Sequence, residues 1–245
     1  MFLRVIKCQT VFVRCYASSV KDNIYKSLKT NCVRKRFGDE IRGYHMINKS
    51  PVKEAVWENI NGNVVEPFLQ VTDRANGNHL SGKDMCFDDW NISNKTAKVV
   101  NDKVRLSSYR LTGVCNMNDH GDRDSICTEI DRRDDSFDYY SILLRNEISL
   151  TSIEYCWYLI PRDCHIFDTG RYVWEKKRGR NKKIVGWKSR YMDITFSMSS
   201  QLWFRFHVSE IINYLVAKTS VELTTKTISY SDIYKIKALK DLTES

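Results

Sequence analysis

The strongest constraint on the fold is a pair of alternating runs. Met192, Ile194, Phe196 and Met198 recur at every second position, as do Leu202, Phe204, Phe206 and Val208, and Ser199-Ser200-Gln201 separates the two runs. Side chains two apart share one face of a strand, so each run has a dry face, and the short polar link makes the pair a β-hairpin. A hairpin alone is marginal and needs another layer over its dry face.

The remaining segments supply candidates for that layer. Trp90–Val100 and the alternation Val104, Leu106 to Leu111 predict strands within 84–112, and Ile153–Ile160 reads as a buried strand stopped by Pro161. Ser50-Pro51 predicts a helix start, continued by Val52, Ala55, Val56 and Ile60 and ended by Asn61-Gly62-Asn63. Val64–Val71 reads as a short second element and Asp73–Leu80 as a loop. Residues 119–138 hold eight acids and three arginines, which predicts a solvated loop leading into a helix from Ser136 to Glu147. Ser209 is expected to cap a helix reaching about Lys218. This order implies an α/β (α+β) fold, a mixed central β-sheet flanked by helices. At 245 residues, with 42% apolar and 12% aromatic side chains, the chain can bury a core for one such domain. No apolar run approaches the ~20 residues that cross a bilayer as a helix.

The first 21 residues contain Arg4, Lys7, Arg14 and Lys21 and no acid. Phe2, Val5, Ile6, Phe12 and Val13 fall on one side of a helical projection, with Arg4, Lys7 and Arg14 mostly on the other. An acid-free amphipathic start followed by Ala17-Ser18-Ser19 has the composition of an organelle transit peptide, and Arg14-Cys15-Tyr16 resembles a mitochondrial processing site. We therefore expect residues 1–20 to be a presequence, residues 21–245 to form the working domain, and the protein to act in the mitochondrial matrix. Cleavage after Tyr16 removes Arg4, Lys7 and Arg14 and takes the formal charge from +9 to +6. The remaining excess still favours polyanionic partners.

Many chemistries have nothing to stand on. The eight cysteines form no Cys-x-x-Cys pair and the five histidines are scattered, so a zinc site is not expected and the cysteines read as buried free thiols. Phosphate-binding and dinucleotide-binding glycine loops, His-Glu-x-x-His and Gly-x-Ser-x-Gly are all absent. What remains is Asp84 at the start of one expected strand and Lys95 on the next, the minimal frame of a metal nuclease. Asp84 can hold Mg²⁺, which takes hard oxygen ligands and keeps several waters. Lys95 can favour the deprotonated form of an attacking water. Ser93, two residues before Lys95, points to the same side of its strand. A shifted strand register would put Asp88 or Asp89 in the metal position instead.

Gly82-Lys83-Asp84-Met85, followed by Ser93-Asn94-Lys95, resembles the PD-(D/E)XK nucleases, particularly type II restriction endonucleases. The resemblance covers residues 50–112, with a looser echo in Tyr139–Arg145 and Ser197–Phe204. It places Asp84 at the first acidic position and Lys95 at the lysine, and Ser93 stands where the family has Asp or Glu. Some members supply the missing acid from the helix before the sheet, which makes Glu54 and Glu58 candidates for catalysis and Glu58 a candidate metal ligand beside Asp84. The resemblance implies a Mg²⁺-dependent endodeoxyribonuclease with DNA as partner, often paired as a homodimer. A non-catalytic nucleic-acid-binding protein and a basic subunit of a mitochondrial ribonucleoprotein complex are the competing expectations.

Two segments suit DNA. Lys176–Arg190 holds eight Lys or Arg and no acid, and reads as a loop in which Lys176, Lys177, Arg178, Arg180, Lys182 and Lys183 could lie along phosphates. Ser107, Ser108 and Arg110 could hold phosphate or base edges.

Overall fold

Two helices of this chain begin where a side chain satisfies one of their first free amides. In the computed structural model, which describes residues 24–72, 83–196, 199–223 and 227–243, Thr30 accepts the Val33 amide at 3.2 Å. It caps α1 (Asn31–Ile47). Val33, Phe37, Ile41 and His45, four apart, form its buried stripe. The expected presequence and the expected Asp73–Leu80 loop lie outside the described residues.

α2 (Glu54–Val65) corrects both expected ends. It starts at Lys53 with no side-chain cap, so Ser50-Pro51 precedes the helix. It also runs through Asn61-Gly62-Asn63, because buried Asn61 finds partners in the sheet and needs no turn. Val64 and Val65 therefore belong to this helix, and only the two-residue strand β1 (Val71–Thr72) follows.

The strands are β2 (Met85–Phe87), β3 (Trp90–Val100), β4 (Lys103–Arg110), β5 (Tyr139–Glu147), β6 (Ser152–Pro161), β7 (Glu175–Arg178), β8 (Ile184–Lys188), β9 (Met192–Thr195), β10 (Gln201–His207) and β11 (Leu215–Glu222). Their order is β11-β6-β5-β3-β4-β10-β9-β8-β7, with β2 joining β3 to β1. Among the described residues only β3 and β5 pair in parallel, and α3 (Arg123–Asp134) lies between them in the chain. This is the mixed sheet flanked by helices that the element pattern implies.

Strand β3 changes partners along its length. It pairs with β2 and β5 early, and with β4 only at Val99 and Val100. It thus joins a mixed sheet (β1, β2, β3, β5, β6, β11) to an antiparallel one (β4, β10, β9, β8, β7). On β5 and β6 the odd residues Tyr139, Leu143, Ile153, Tyr155, Trp157 and Leu159 pack with α1 and α2. The even residues Tyr140, Ile142, Leu144, Tyr158 and Ile160 pack with α3 and the antiparallel strands. Helices, mixed sheet and antiparallel sheet therefore make successive layers.

Burial on both faces explains the largest departure from the expected elements. A strand with two dry faces reads as a continuous apolar run, and Tyr139–Glu147 is such a strand rather than the helix expected from Ser136 to Glu147. The helix lies earlier, inside the acidic 119–138 segment, where Asp122 accepts the Ser125 amide at 2.9 Å and caps α3.

Two further expectations fail near the other end. The β9–β10 hairpin forms as the alternation predicts, pairing Leu202 with Ile194 and Phe204 with Met192. Ser209, however, lies inside a 3₁₀ turn (Val208–Tyr214) capped from His207, and the expected helix beyond it is β11. The Lys176–Arg190 stretch is a second hairpin, β7–β8, rather than a loop. A last helix, α4 (Tyr230–Thr243), completes the described chain.

Candidate active site

Among the described residues, the antiparallel partners of β3 leave part of one edge open. β2 stops pairing at Met85 opposite Ile92, and β4 begins at Val104 opposite Val99, while β5 covers the other edge from Ile92 to Lys98. Asp84, just before β2, fills this notch. Its amide donates to the Ile92 carbonyl at 2.8 Å. Its Oδ2 accepts the Asn94 amide at 2.5 Å and the Ser93 hydroxyl at 3.4 Å. The carboxylate thereby takes over where the β2 ladder ends.

Lys95 reaches the same notch. Its Nζ lies 3.8 Å from Asp84 Oδ2 and donates to Glu54 Oε1 at 3.0 Å and to the Asn94 carbonyl at 2.6 Å. The ammonium is nearly enclosed, its side chain 12% exposed, whereas Glu54 opens to solvent at 40%. Glu54 is thus the glutamate that pairs with Lys95, and Glu58 lies half-buried one turn further along α2.

Burial raises the Asp84 carboxyl above its usual value. Lys95 and the Asn94 amide oppose that, and Glu54 adds to it. Two carboxylates share one ammonium here, so a further cation would relieve the desolvation that Asp84 carries. Asp84 Oδ1 and Glu54 Oε2 carry no hydrogen bond among the described residues. Both are hard oxygen donors, the type Mg²⁺ takes. Among the described residues no group of three or more His, Cys, Asp or Glu side chains is arranged to hold a metal.

A buried polar cluster fixes α2 against the sheet. Asn61 Nδ2 donates to Asn94 Oδ1 at 2.7 Å and to Ser141 Oγ at 2.8 Å. Trp157 donates to the same hydroxyl at 2.9 Å, and Trp57 to the Ser141 carbonyl at 3.1 Å. Because α2 also carries Glu54, this cluster sets where Glu54 stands relative to Lys95. The sequence conceals it, because Asn61-Gly62-Asn63 has the composition of a helix end; the available signal is a polar residue on the apolar face of the helix. Asn61 Oδ1 and Asn94 Nδ2 remain unpaired within it.

Asp88 and Asp89 lie in the β2–β3 turn. Asp88 sits at positive φ in the β2–β3 turn and accepts the Gln70 amide at 2.8 Å, and Asp89 is exposed beside it. The six described cysteines are free, but only Cys115, Cys127 and Cys164 are the buried thiols expected, Cys86 and Cys156 being half-buried and Cys32 exposed.

The expected DNA-binding residues are spread out. Lys177 is neutralised by buried Asp193 at 2.9 Å, Lys176 lies over the Trp187 ring, and Arg178 donates to the Lys182 carbonyl. Arg180, Lys182 and Lys183 are exposed at the hairpin tip. In the strand order β4, β10 and β9 separate this hairpin from β3, so the sheet does not bring it beside Asp84 and Lys95. Ser107 and Ser108 are half-buried on β4, and Arg110 is exposed at its end.

No described helix is long and apolar enough to cross a membrane. Comparison with models of known protein families, with curated proteins and with solved structures finds no match for this chain.

Proposed function

We propose that the notch beside β3 is the active site of a Mg²⁺-dependent endodeoxyribonuclease of restriction-endonuclease type, working in the mitochondrial matrix. One observation carries the reading: Lys95 of β3 stands between Asp84, just before β2, and Glu54 of α2, at an open strand edge. Asp84 and Glu54 would hold Mg²⁺ through their free oxygens. When bound, Mg²⁺ supplies Lewis-acid stabilisation of the charge that develops on the phosphoryl oxygens and acidifies water. Lys95 then orients the attacking water by a hydrogen bond, and its positive charge favours loss of the water's proton. Ser93 holds Asp84 with its hydroxyl and adds no charge, so Glu54 takes the part of the acid that the resemblance expects at position 93.

Purified protein incubated with plasmid is expected to nick or linearise it with Mg²⁺ and to stop when the metal is chelated. Asp84→Asn and Lys95→Ala should lose this activity and Glu58→Gln should keep it. A wild type that binds DNA in a salt-sensitive manner yet never cuts would favour the non-catalytic alternative. For the compartment, N-terminal sequencing of the protein from purified mitochondria should begin at Ala17.

A further inference from the structure

The antiparallel sheet has one dry face. Val104, Leu106, Phe204 and Phe206 point into the core, which leaves Lys103, Arg105, Arg205 and His207 outside. The ladder sets Arg105 opposite Arg205 and Lys103 opposite His207. Arg105 and Arg205 are like charges placed directly opposite, which destabilises a sheet unless an anion sits over them, whereas His207 lies 3.3 Å from Asp102.

The surroundings add to this charge. Lys98 and Arg190 join Lys103, Arg105 and Arg205 around a cleft of about 740 Å³. Glu210 also lines it and keeps one negative charge there: its carboxylate accepts the Tyr191 hydroxyl at 2.5 Å and the His207 amide at 2.9 Å and interacts electrostatically with Arg190. Arg205 is partly offset by Asp193 at 3.3 Å and Lys98 by Glu147. Lys103, Arg105 and Arg190 have no carboxylate within ion-pair distance among the described residues. The two guanidiniums rest on rings, Arg105 at 4.0 Å from the Trp203 centroid and Arg190 at 5.1 Å from that of Tyr191. Stacking restricts a guanidinium while leaving N–H groups for an anion, an arrangement suited to phosphate.

We propose that this cleft binds the sugar-phosphate backbone of nucleic acid, with Lys103, Arg105 and Arg190 contacting successive phosphates. The inference rests on nucleic acid being the substrate, as the proposed activity requires, but not on its cleavage.

The test measures binding of a labelled DNA duplex by fluorescence anisotropy, with EDTA to prevent cleavage, across about 50 to 200 mM salt. The variant Lys103→Gln/Arg105→Gln/Arg190→Gln is compared with Arg180→Gln/Lys183→Gln at the β7–β8 tip. All five side chains are exposed, and thermal melts check that both variants fold. The triple variant should lose about tenfold or more in affinity at the higher salt and flatten the log–log salt slope by roughly 2 to 3, at ~0.9 per phosphate contact. The tip variant should change the slope less. An unchanged slope in the triple variant overturns the inference, as does cleft-dependent binding of ATP or inorganic phosphate with duplex binding unaffected. Plasmid cleavage assayed in parallel separates the two readings. Cleft-dependent binding without cutting keeps this inference and removes the nuclease, whereas cutting with an unchanged slope does the reverse.

Discussion

The meeting of Asp84 with Lys95 is legible in the sequence because eleven positions suffice for a strand, a tight turn and a return. The glutamate that joins them is not legible in the same way, since Glu54 and Glu58 lie on similar helical faces and only the seating of α2 separates them. That seating depends on Ser141, whose hydroxyl serves both Asn61 and Trp157. Ser141→Ala would leave two buried donors short of a partner and should cost about 1–3 kcal/mol by urea denaturation. A second buried group makes stability depend on pH. Burial of Asp134, only partly offset by the Tyr109 and Tyr140 hydroxyls at 2.9 Å, lifts its carboxyl from an ordinary 3.8 to about 7. A carboxyl raised by folding binds its proton more tightly in the native state. Its contribution is therefore complete below about pH 4 and is lost as pH rises to about 7. Relative to Asp134→Asn, the wild type should lose about 1 kcal/mol per pH unit across that window, measured by denaturation at each pH.

At the scale of elements, legibility follows the number of dry faces. The β9–β10 hairpin, dry on one side, announces itself by alternation. β5, dry on both, gives an apolar run that suits a helix equally well. α1 is hard to see for the opposite reason. Its stripe of Val33, Phe37, Ile41 and His45 is one residue wide and surrounded by charge. The β7–β8 segment reads as a loop because its cationic residues hide a short ladder. Within that ladder Gly186 is irreplaceable on steric grounds, as a Cβ there would stand 1.8 Å from the Ile194 carbonyl oxygen. Gly186→Ala should force β8 from β9, cost about 1–3 kcal/mol and lower Tm by several degrees. Gly113→Ala, which meets open space, should leave Tm nearly unchanged.

Across the whole molecule, one long strand couples two sheets, and charged side chains collect where its partners change. The open edge of β3 holds Asp84, Lys95 and Glu54, and the turn at its far end opens onto the basic cleft. Layer order and cleft are beyond sequence reading, because both depend on which strands meet across long stretches of chain. The cleft cations Lys98, Lys103, Arg105, Arg190 and Arg205 form no run, unlike the conspicuous lysines of the β7–β8 hairpin. A role of Lys95 in phosphodiester hydrolysis is measurable as the single-turnover cleavage rate of labelled DNA with Mg²⁺, comparing wild type with a folded Lys95→Ala variant. Wild type should cleave, and the variant should lose about 100-fold or more in rate. Equal rates in the two proteins, or no cleavage by folded wild type, would rule that role out.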